Sequence, residues 1–338
     1  MTAILKNSPW ALNVALLIAL VIVALLSGLF GQVTLSPGQF WAALIGDGPE
    51  DQQGLSIIVR ELRLPRIIIG ILAGATLGYT GAALQGLLRN PLADPGVIGV
   101  SASAGLGAVI AIYMGLAAAS AFAIPLTAMA GALAATLILM TLAARDSSVL
   151  TLILAGIGIS SLATAGISLV MNFAPSPMSL QDMVLWMLGS LENRTFDDLL
   201  LAGPFILLGW VVMIGVGQGL SALSLGSDTA HSLGINVKVL RWRVVLGTAL
   251  SVGATVSVCG TVGFVGLVVP HFVRAFIGYE PRALLLPSAL AGAVLMTLAD
   301  IITRLPFGHG QLRLGVVMAI IGAPLFIHII FKTRESMR

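Results

Sequence analysis

Charge is what this chain has least of. Only 9 % of its 338 residues are Asp, Glu, Lys or Arg, against about 25 % in soluble domains, which excludes an ordinary water-soluble fold. Cysteine is nearly absent. Cys259 stands alone in an apolar stretch, so no intrachain disulfide framework or thiolate metal site can form, and a small buried apolar side chain is its simplest role. Lysine is almost as scarce: Lys6, Lys238 and Lys332 are all there are, and none follows a glycine. A phosphate-binding Walker A loop needs Gly-Lys followed by Ser or Thr, so nucleotide hydrolysis is excluded. No run of five like charges exists, and the net charge of +3 is scattered over the loops, which speaks against nucleic acid as a partner. The four histidines, His231, His271, His309 and His328, share no i,i+3 or i,i+4 spacing, so no metal site is expected. No carboxylate pair or nucleophile constellation marks a catalytic residue.

What is present in excess is apolar sequence, 58 % of the chain. Its runs and breaks suggest an all-α, polytopic membrane protein with ten crossings, near 11–30, 67–88, 95–115, 120–143, 149–173, 199–220, 241–262, 264–278, 284–304 and 313–331. About 20 apolar residues at about 1.5 Å each cover a hydrocarbon core of about 30 Å. The seventh and eighth runs are separated by little more than Gly263, and Pro270 interrupts the short eighth. The first run follows Lys6 as a signal peptide would, but it is long and lacks a small-residue cleavage pattern, so it reads as a retained helix. The whole chain, 1–338, reads as one transmembrane domain.

With ten crossings both termini share a side. Eleven of the 17 basic residues fall there, among them Arg89, Arg145, Lys238, Arg241, Arg243, Arg274 and Arg282; Arg60, Arg63, Arg66, Arg194, Arg304 and Arg313 fall opposite. The excess of Lys and Arg places both termini in the cytoplasm. Arg63 and Arg66 then face outward, an exception that asks for a reason. Residues 31–62 and 174–198 form external loops, the second with an interfacial helix over about 178–191 (Leu180, Met183, Val184, Met187, Leu188, Leu191). Residues 221–241 form a cytoplasmic segment with one or two short helices broken at Gly226 and Gly234.

Small residues recur every four positions at Gly70, Gly74, Gly78, Ala82 and Gly86, and again at Gly99, Ser103, Gly107, Ala111 and Gly115. Such stripes let helices approach closely in lipid, where dispersion drives association, and tight packing in one bundle is the simplest reading. Ion-coupled carriers keep ionisable groups inside their helices. Here the interiors are nearly bare; the main exception, Asp300 and Arg304, has the spacing of a local i,i+4 pair. The sequence thus describes a transporter-like bundle with no evident motor or ion-coupling site, whose energy would come from another subunit.

Particular motifs sharpen this. Leu62-Arg63-Leu64-Pro65-Arg66, Gly81-Ala82-Ala83-Leu84-Gln85-Gly86, Arg89-Asn90-Pro91-Leu92-Ala93-Asp94-Pro95-Gly96, Gly263 to His271, Leu285-Leu286-Pro287 and Ile321-Gly322-Ala323-Pro324-Leu325-Phe326 occur in order. Over about residues 10–332 the chain resembles the FecCD-type permeases, membrane subunits of type II ATP-binding-cassette importers for iron-siderophores, haem and cobalamin. The resemblance implies a homodimer in the bacterial inner membrane, two ATPase subunits beneath it and one periplasmic substrate-binding protein above. An intact iron chelate would pass through, a siderophore first, then haem, then cobalamin. No cofactor is implied in this chain; ATP and Mg belong to the ATPase subunits, so the chain is not itself an enzyme. The family's docking arginines match Arg63, Arg66 and Arg304. Its ATPase-coupling segment matches Leu225 to Arg241, with Leu225, Gly226, Asp228, Leu233, Gly234 and Arg241 as contacts, although Ser227 stands where the family often has an acid. Its cytoplasmic gate matches Asn90, Leu92, Ser148 and Val149. The other readings are an ATP-independent secondary transporter of a small metabolite and a non-transporting membrane scaffold.

Overall fold

The computed structural model describes residues 8–31, 33–46, 53–145, 149–305 and 312–336. Every regular element among them is helical. In order these are α1 (Pro9–Leu29), α2 (Pro37–Ile45), α3 (Gln53–Ile57), a π-helical turn (Ile58–Arg63), α4 (Leu64–Leu88) and a 3-10 turn (Pro95–Ile98). Then come α5 (Val100–Tyr113), a single helical turn (Leu116–Ala119), α6 (Ala123–Arg145), α7 (Val149–Asn172), α8 (Pro177–Met187), α9 (Phe196–Val212) and α10 (Val216–Ser224). The last are α11 (Ser227–Ser232), α12 (Val237–Cys259), α13 (Val265–Ile277), α14 (Pro281–Thr303) and α15 (Leu314–Ser336).

Several helix starts are written in the sequence as Ser-Pro. Ser8, Ser36 and Ser176 each accept a backbone N–H from the first turn, and the following proline occupies a position whose own N–H would have had no partner. Thr195 and Asp198 form a reciprocal capping box at α9, and Asn236 caps α12.

Six helical stretches are long and apolar enough to cross a bilayer: Pro9–Leu29, Gly54–Leu88, Ala123–Leu142, Leu150–Asn172, Val237–Cys259 and Pro281–Thr303. α9 and α10 add one more as a pair bent by 50°. Three shorter apolar helices, Val100–Tyr113, Val265–Ile277 and Leu314–Ile327, complete ten apolar segments among the described residues, at the positions read from the sequence. α8 supplies the helix expected between the fifth and sixth segments, and α10 and α11 flank Gly226 as expected of the coupling segment.

The second crossing departs from the reading. The stretch before Arg63 was expected to be loop as far as residue 62; instead α2 occupies part of it and a continuous helix runs from Gly54 to Leu88. Pro65 made the chain look as though a helix began there. A proline inside a helix removes one hydrogen bond and crowds the preceding turn. The wider π-helical turn at Ile58–Arg63 lies immediately upstream, and the helix passes through.

α4 and α12 form the centre, each with 78 % of its apolar window buried; α7, with 17 %, is the most peripheral of the six long crossings, followed by α1 with 22 %. The glycine stripes set the closest approaches. A Cβ at Gly78 would overlap the carbonyl oxygen of Ser288, and one at Gly74 that of Gly292, so α4 and α14 touch backbone to backbone. Gly107 and Gly131 do the same between α5 and α6. Several buried hydroxyls bond within their own helices, as Thr80 donates to the Thr76 carbonyl, Ser251 to Gly247 and Thr255 to Ser251.

Candidate functional site

The three arginines read as docking residues converge at one end of the bundle. Arg66 on α4 grips Asp300 on α14 with two nitrogens: Nε donates to Oδ1 at 2.9 Å and Oδ2 at 3.1 Å, and Nη2 donates to Oδ1 at 2.8 Å and to Thr303 Oγ1 at 3.2 Å. Arg304 Nη2 pairs with the same carboxylate from one turn away. Asp300 is thus a single acid, its side chain 2 % exposed, between two guanidiniums whose side chains are 18 % (Arg66) and 8 % (Arg304) exposed.

The other hands of this cluster cap α1. The last carbonyls of a helix lack partners within it. Arg63, buried, donates from Nη1 to Gly28 O at 2.5 Å and Leu29 O at 3.1 Å, and from Nη2 to Val33 O. Arg304 Nη1 donates to Ser27 O at 2.8 Å and Phe30 O at 3.3 Å. One buried network therefore ties α1, α4 and α14. Three guanidiniums against one carboxylate leave it with an excess of positive charge. The Asp300–Arg304 pair was legible from its spacing. The Arg66–Asp300 pair was not, because 234 residues separate the partners.

At the opposite end, the segment read as ATPase-coupling presents an apolar rim and a basic hollow. Leu225 and Leu233 are exposed large hydrophobics, while Ala230 anchors α11 by full burial. Gly226 and Gly234 take φ of 112° and 79°, values that favour glycine. Asp228 lies exposed in the first turn of α11. Between α11 and the start of α12 lies a pocket of about 490 Å³ whose lining includes Ser227, His231, Gly234, Asn236, Lys238 and the buried Arg241.

The residues read as a gate are only partly placed. Asn90 and Leu92 lie in the turn after α4, where Asn90 Oδ1 accepts the Leu92 N–H at 2.9 Å and Leu92 is exposed. Arg89, at φ 48°, closes the helix. Val149 opens α7; Ser148 lies outside the described residues. The segment after the turn reaches α7 further along: Ser160 Oγ donates to Gly96 O at 3.1 Å, and a Cβ at Gly156 would overlap the Val97 carbonyl. Asp94 Oδ1 accepts the Gly96 N–H at 2.8 Å. Burial pushes the Asp94 carboxyl above the usual carboxylate range, and that hydrogen bond opposes the shift.

A helical bundle with these features is the membrane-spanning permease of an ABC transporter. A solved chain described as a metal-chelate type ABC transporter in an inward-facing conformation matches it with a TM-score of 0.85 and 29 % identity, over 96 % of this chain and all of its own. The model of the FecCD transport family matches residues 17–332, and the chain belongs to that family. The vitamin B12 import system permease protein BtuC of Vibrio cholerae is 39 % identical over 336 residues, 98 % of this chain and 97 % of its own. The ABC transporter permease protein YvrB of Bacillus subtilis is 38 % identical over 306 residues, 88 % of this chain and 86 % of its own. BtuC of Salmonella typhi is 36 % identical over 329 residues, 97 % and 96 % respectively.

Proposed function

We propose that this chain is the membrane subunit of an ATP-driven importer that passes an intact metal chelate across the bacterial inner membrane. Its similarity to two permeases named for vitamin B12 import moves a corrinoid ahead of the iron-siderophores and haem as cargo. The observation that carries the reading is the family match over nearly the full chain. The chain would act as a homodimer with both termini in the cytoplasm, two ATPase subunits against the coupling segment and a periplasmic binding protein at the arginine end.

The geometry gives each surface a physical role. Leu225 and Leu233 offer the ATPase an apolar grip, and the basic hollow beside them suits an acidic side chain. At the arginine end, Arg66 is the most exposed of the three and leaves Nη1 outside its bonds to Asp300 and Thr303. It is the first candidate to meet an acid of the binding protein, while Arg63 and Arg304 hold α1 in place behind it.

α7 supplies the cargo-facing wall in this reading. Gly158, Ser161, Ala165, Ser168 and Asn172 are all exposed at three- and four-residue spacing, so they share one face of an otherwise apolar helix. Small and polar groups along a crossing fit a wetted path between two subunits better than lipid.

Reconstitution with its ATPase and binding protein tests the cargo. Cobalamin carried by the binding protein is expected to stimulate ATP hydrolysis more than an iron-siderophore or haem does. Stimulation by a siderophore alone would reassign the substrate.

A further inference from the structure

One side chain in the middle of the bundle makes more connections than its setting requires. Gln85 sits on the last turns of α4, 2 % exposed, in a run of small and apolar residues. Its Nε2 lies 3.1 Å from the carbonyl of Ala93, 3.1 Å from that of Gly266 and 3.3 Å from that of Leu267. Its Oε1 accepts from Arg274 Nη2 at 2.6 Å. The amide orientation is fixed by chemistry: three carbonyls can only accept, and a guanidinium can only donate.

These bonds reach three separate pieces of chain. Gly266, Leu267 and Arg274 belong to α13, Gln85 to α4, and Ala93 to the turn that holds Asn90 and Leu92. The backbone of Gln85 holds the other end of that turn, because its carbonyl accepts the Asn90 N–H at 3.1 Å. Residues 90–93 are therefore clasped at both ends by one residue. The reach is possible because α4 and α13 nearly touch one helical turn earlier, where a Cβ on Gly81 would overlap the Gly266 carbonyl. Arg274 makes its bond as a charge-assisted donor and leaves a buried Nη1 without a partner among the described residues.

We infer that Gln85 is a positioning residue: it locks the Asn90–Ala93 turn to α13, so that a shift of α13 against α4 moves the turn with it. This rests on the reading of Asn90 and Leu92 as part of the cytoplasmic gate. A buried glutamine amide calls for acceptors for its two N–H groups and a donor for its oxygen; this one draws them from the turn between α4 and the 3-10 turn at Pro95–Ile98 and from α13 at once, where a purely structural glutamine could satisfy them on one neighbour.

The test uses the full complex in proteoliposomes with Leu92→Cys as a reporter. Cys259, fully packed inside, gives little background to a membrane-impermeant maleimide. Labelling of Leu92→Cys is compared between nucleotide-free and vanadate-trapped complexes, together with cargo moved per ATP hydrolysed. In the otherwise wild-type chain the two states are expected to differ in labelling rate. With Gln85→Leu, of similar volume, that difference is expected to collapse, with cargo per ATP falling at least about fivefold. With Gln85 intact, Arg274→Lys keeps a cationic donor for Oε1 and is expected to retain most of the difference, whereas Arg274→Leu is expected to lose it. If Gln85→Leu does not assemble, Gln85→Glu, which keeps the acceptor for Arg274 and loses the donors, takes its place with the same expectation. A Gln85 variant that assembles and keeps both the labelling difference and the cargo-per-ATP ratio overturns the inference. If Leu92→Cys labels equally in both nucleotide states without any change at Gln85, it is the gate reading that fails.

Discussion

Asp300→Asn is expected to lower the unfolding midpoint of the purified protein in detergent by roughly 4 °C. Asp300 is the only carboxylate in contact with Arg66 and Arg304 among the described residues, and its side chain is 2 % exposed. Removing one partner from a buried ion pair costs about 3–5 kcal/mol, because the remaining charge has lost its solvent and its counter-charge together. Arg66 retains some exposure, so the lower end of that range applies, and about 3 kcal/mol over an unfolding entropy of about 2.1 cal/mol/K per residue in a 338-residue chain is about 4 °C. The double variant Asp300→Asn with Arg304→Gln is expected to recover part of the loss, since it removes one of the two stranded guanidiniums. A midpoint unchanged within a degree in the single variant would show that the network carries no stability. The same variant separates two roles of Arg66. With Asp300 neutral, binding-protein affinity is expected to hold or rise, whereas Arg66→Gln is expected to lower it.

Gly78→Leu is expected to abolish assembly of a folded permease. An added Cβ at Gly78 would overlap the carbonyl oxygen of Ser288, a backbone atom that cannot rotate away. α4 and α14 would have to separate, and their contact is the tightest in the molecule, with Gly74 facing Gly292 one turn further on. Overpacking a well-filled interior costs about 1–3 kcal/mol and more when no rotamer escapes. In lipid the loss falls on dispersion contacts for which there is no hydrophobic compensation. Gly78→Ala is expected to show the same sign with smaller size. Gly38 provides the contrast: it lies in α2 with nothing near its Cβ position, and Gly38→Ala is expected to be neutral or slightly stabilising. Size-exclusion profiles of the variants measure this directly. A monodisperse Gly78→Leu protein with an undiminished midpoint would contradict the assigned packing.

Much of the fold was legible because membrane helices declare themselves locally. The ten apolar segments follow from composition and length; the Ser-Pro caps of α1, α2 and α8 act within four residues, yet residues 31–62 read as loop and α2 emerges only in the structure. The four-residue glycine rhythm gave the packing face of α4 and α5, because a helical period is written along one chain. The start of the second crossing was hidden by Pro65, which normally opens a helix and here follows a π-helical turn that absorbs it. The contacts that assemble the two ends were hidden for a different reason. Arg66 meets Asp300 across 234 residues and Arg274 meets Gln85 across 189, and no periodicity in one chain reports which helices become neighbours. Arg63 shows how a residue can attract the right attention for an incomplete reason. An arginine on the outer side broke the charge bias, and the structure puts it to work capping the carbonyls that end α1.

The helix breaks within residues 221–241 were legible at a coarser level. Gly226 and Gly234 marked the breaks, and both do take positive φ. The exposure of Leu225 and Leu233 could not be read from periodicity, because a six-residue helix is too short to define a face.

The most direct measurement of the central claim is transport by the purified chain alone, reconstituted in liposomes with cargo outside and an imposed proton or sodium gradient. The sequence has no Walker A motif, and at the arginine end the buried acid Asp300 is committed to two guanidiniums. The expected result is no accumulation above the external concentration until the ATPase, the binding protein and ATP are supplied. Uphill accumulation by the chain without them would contradict the account.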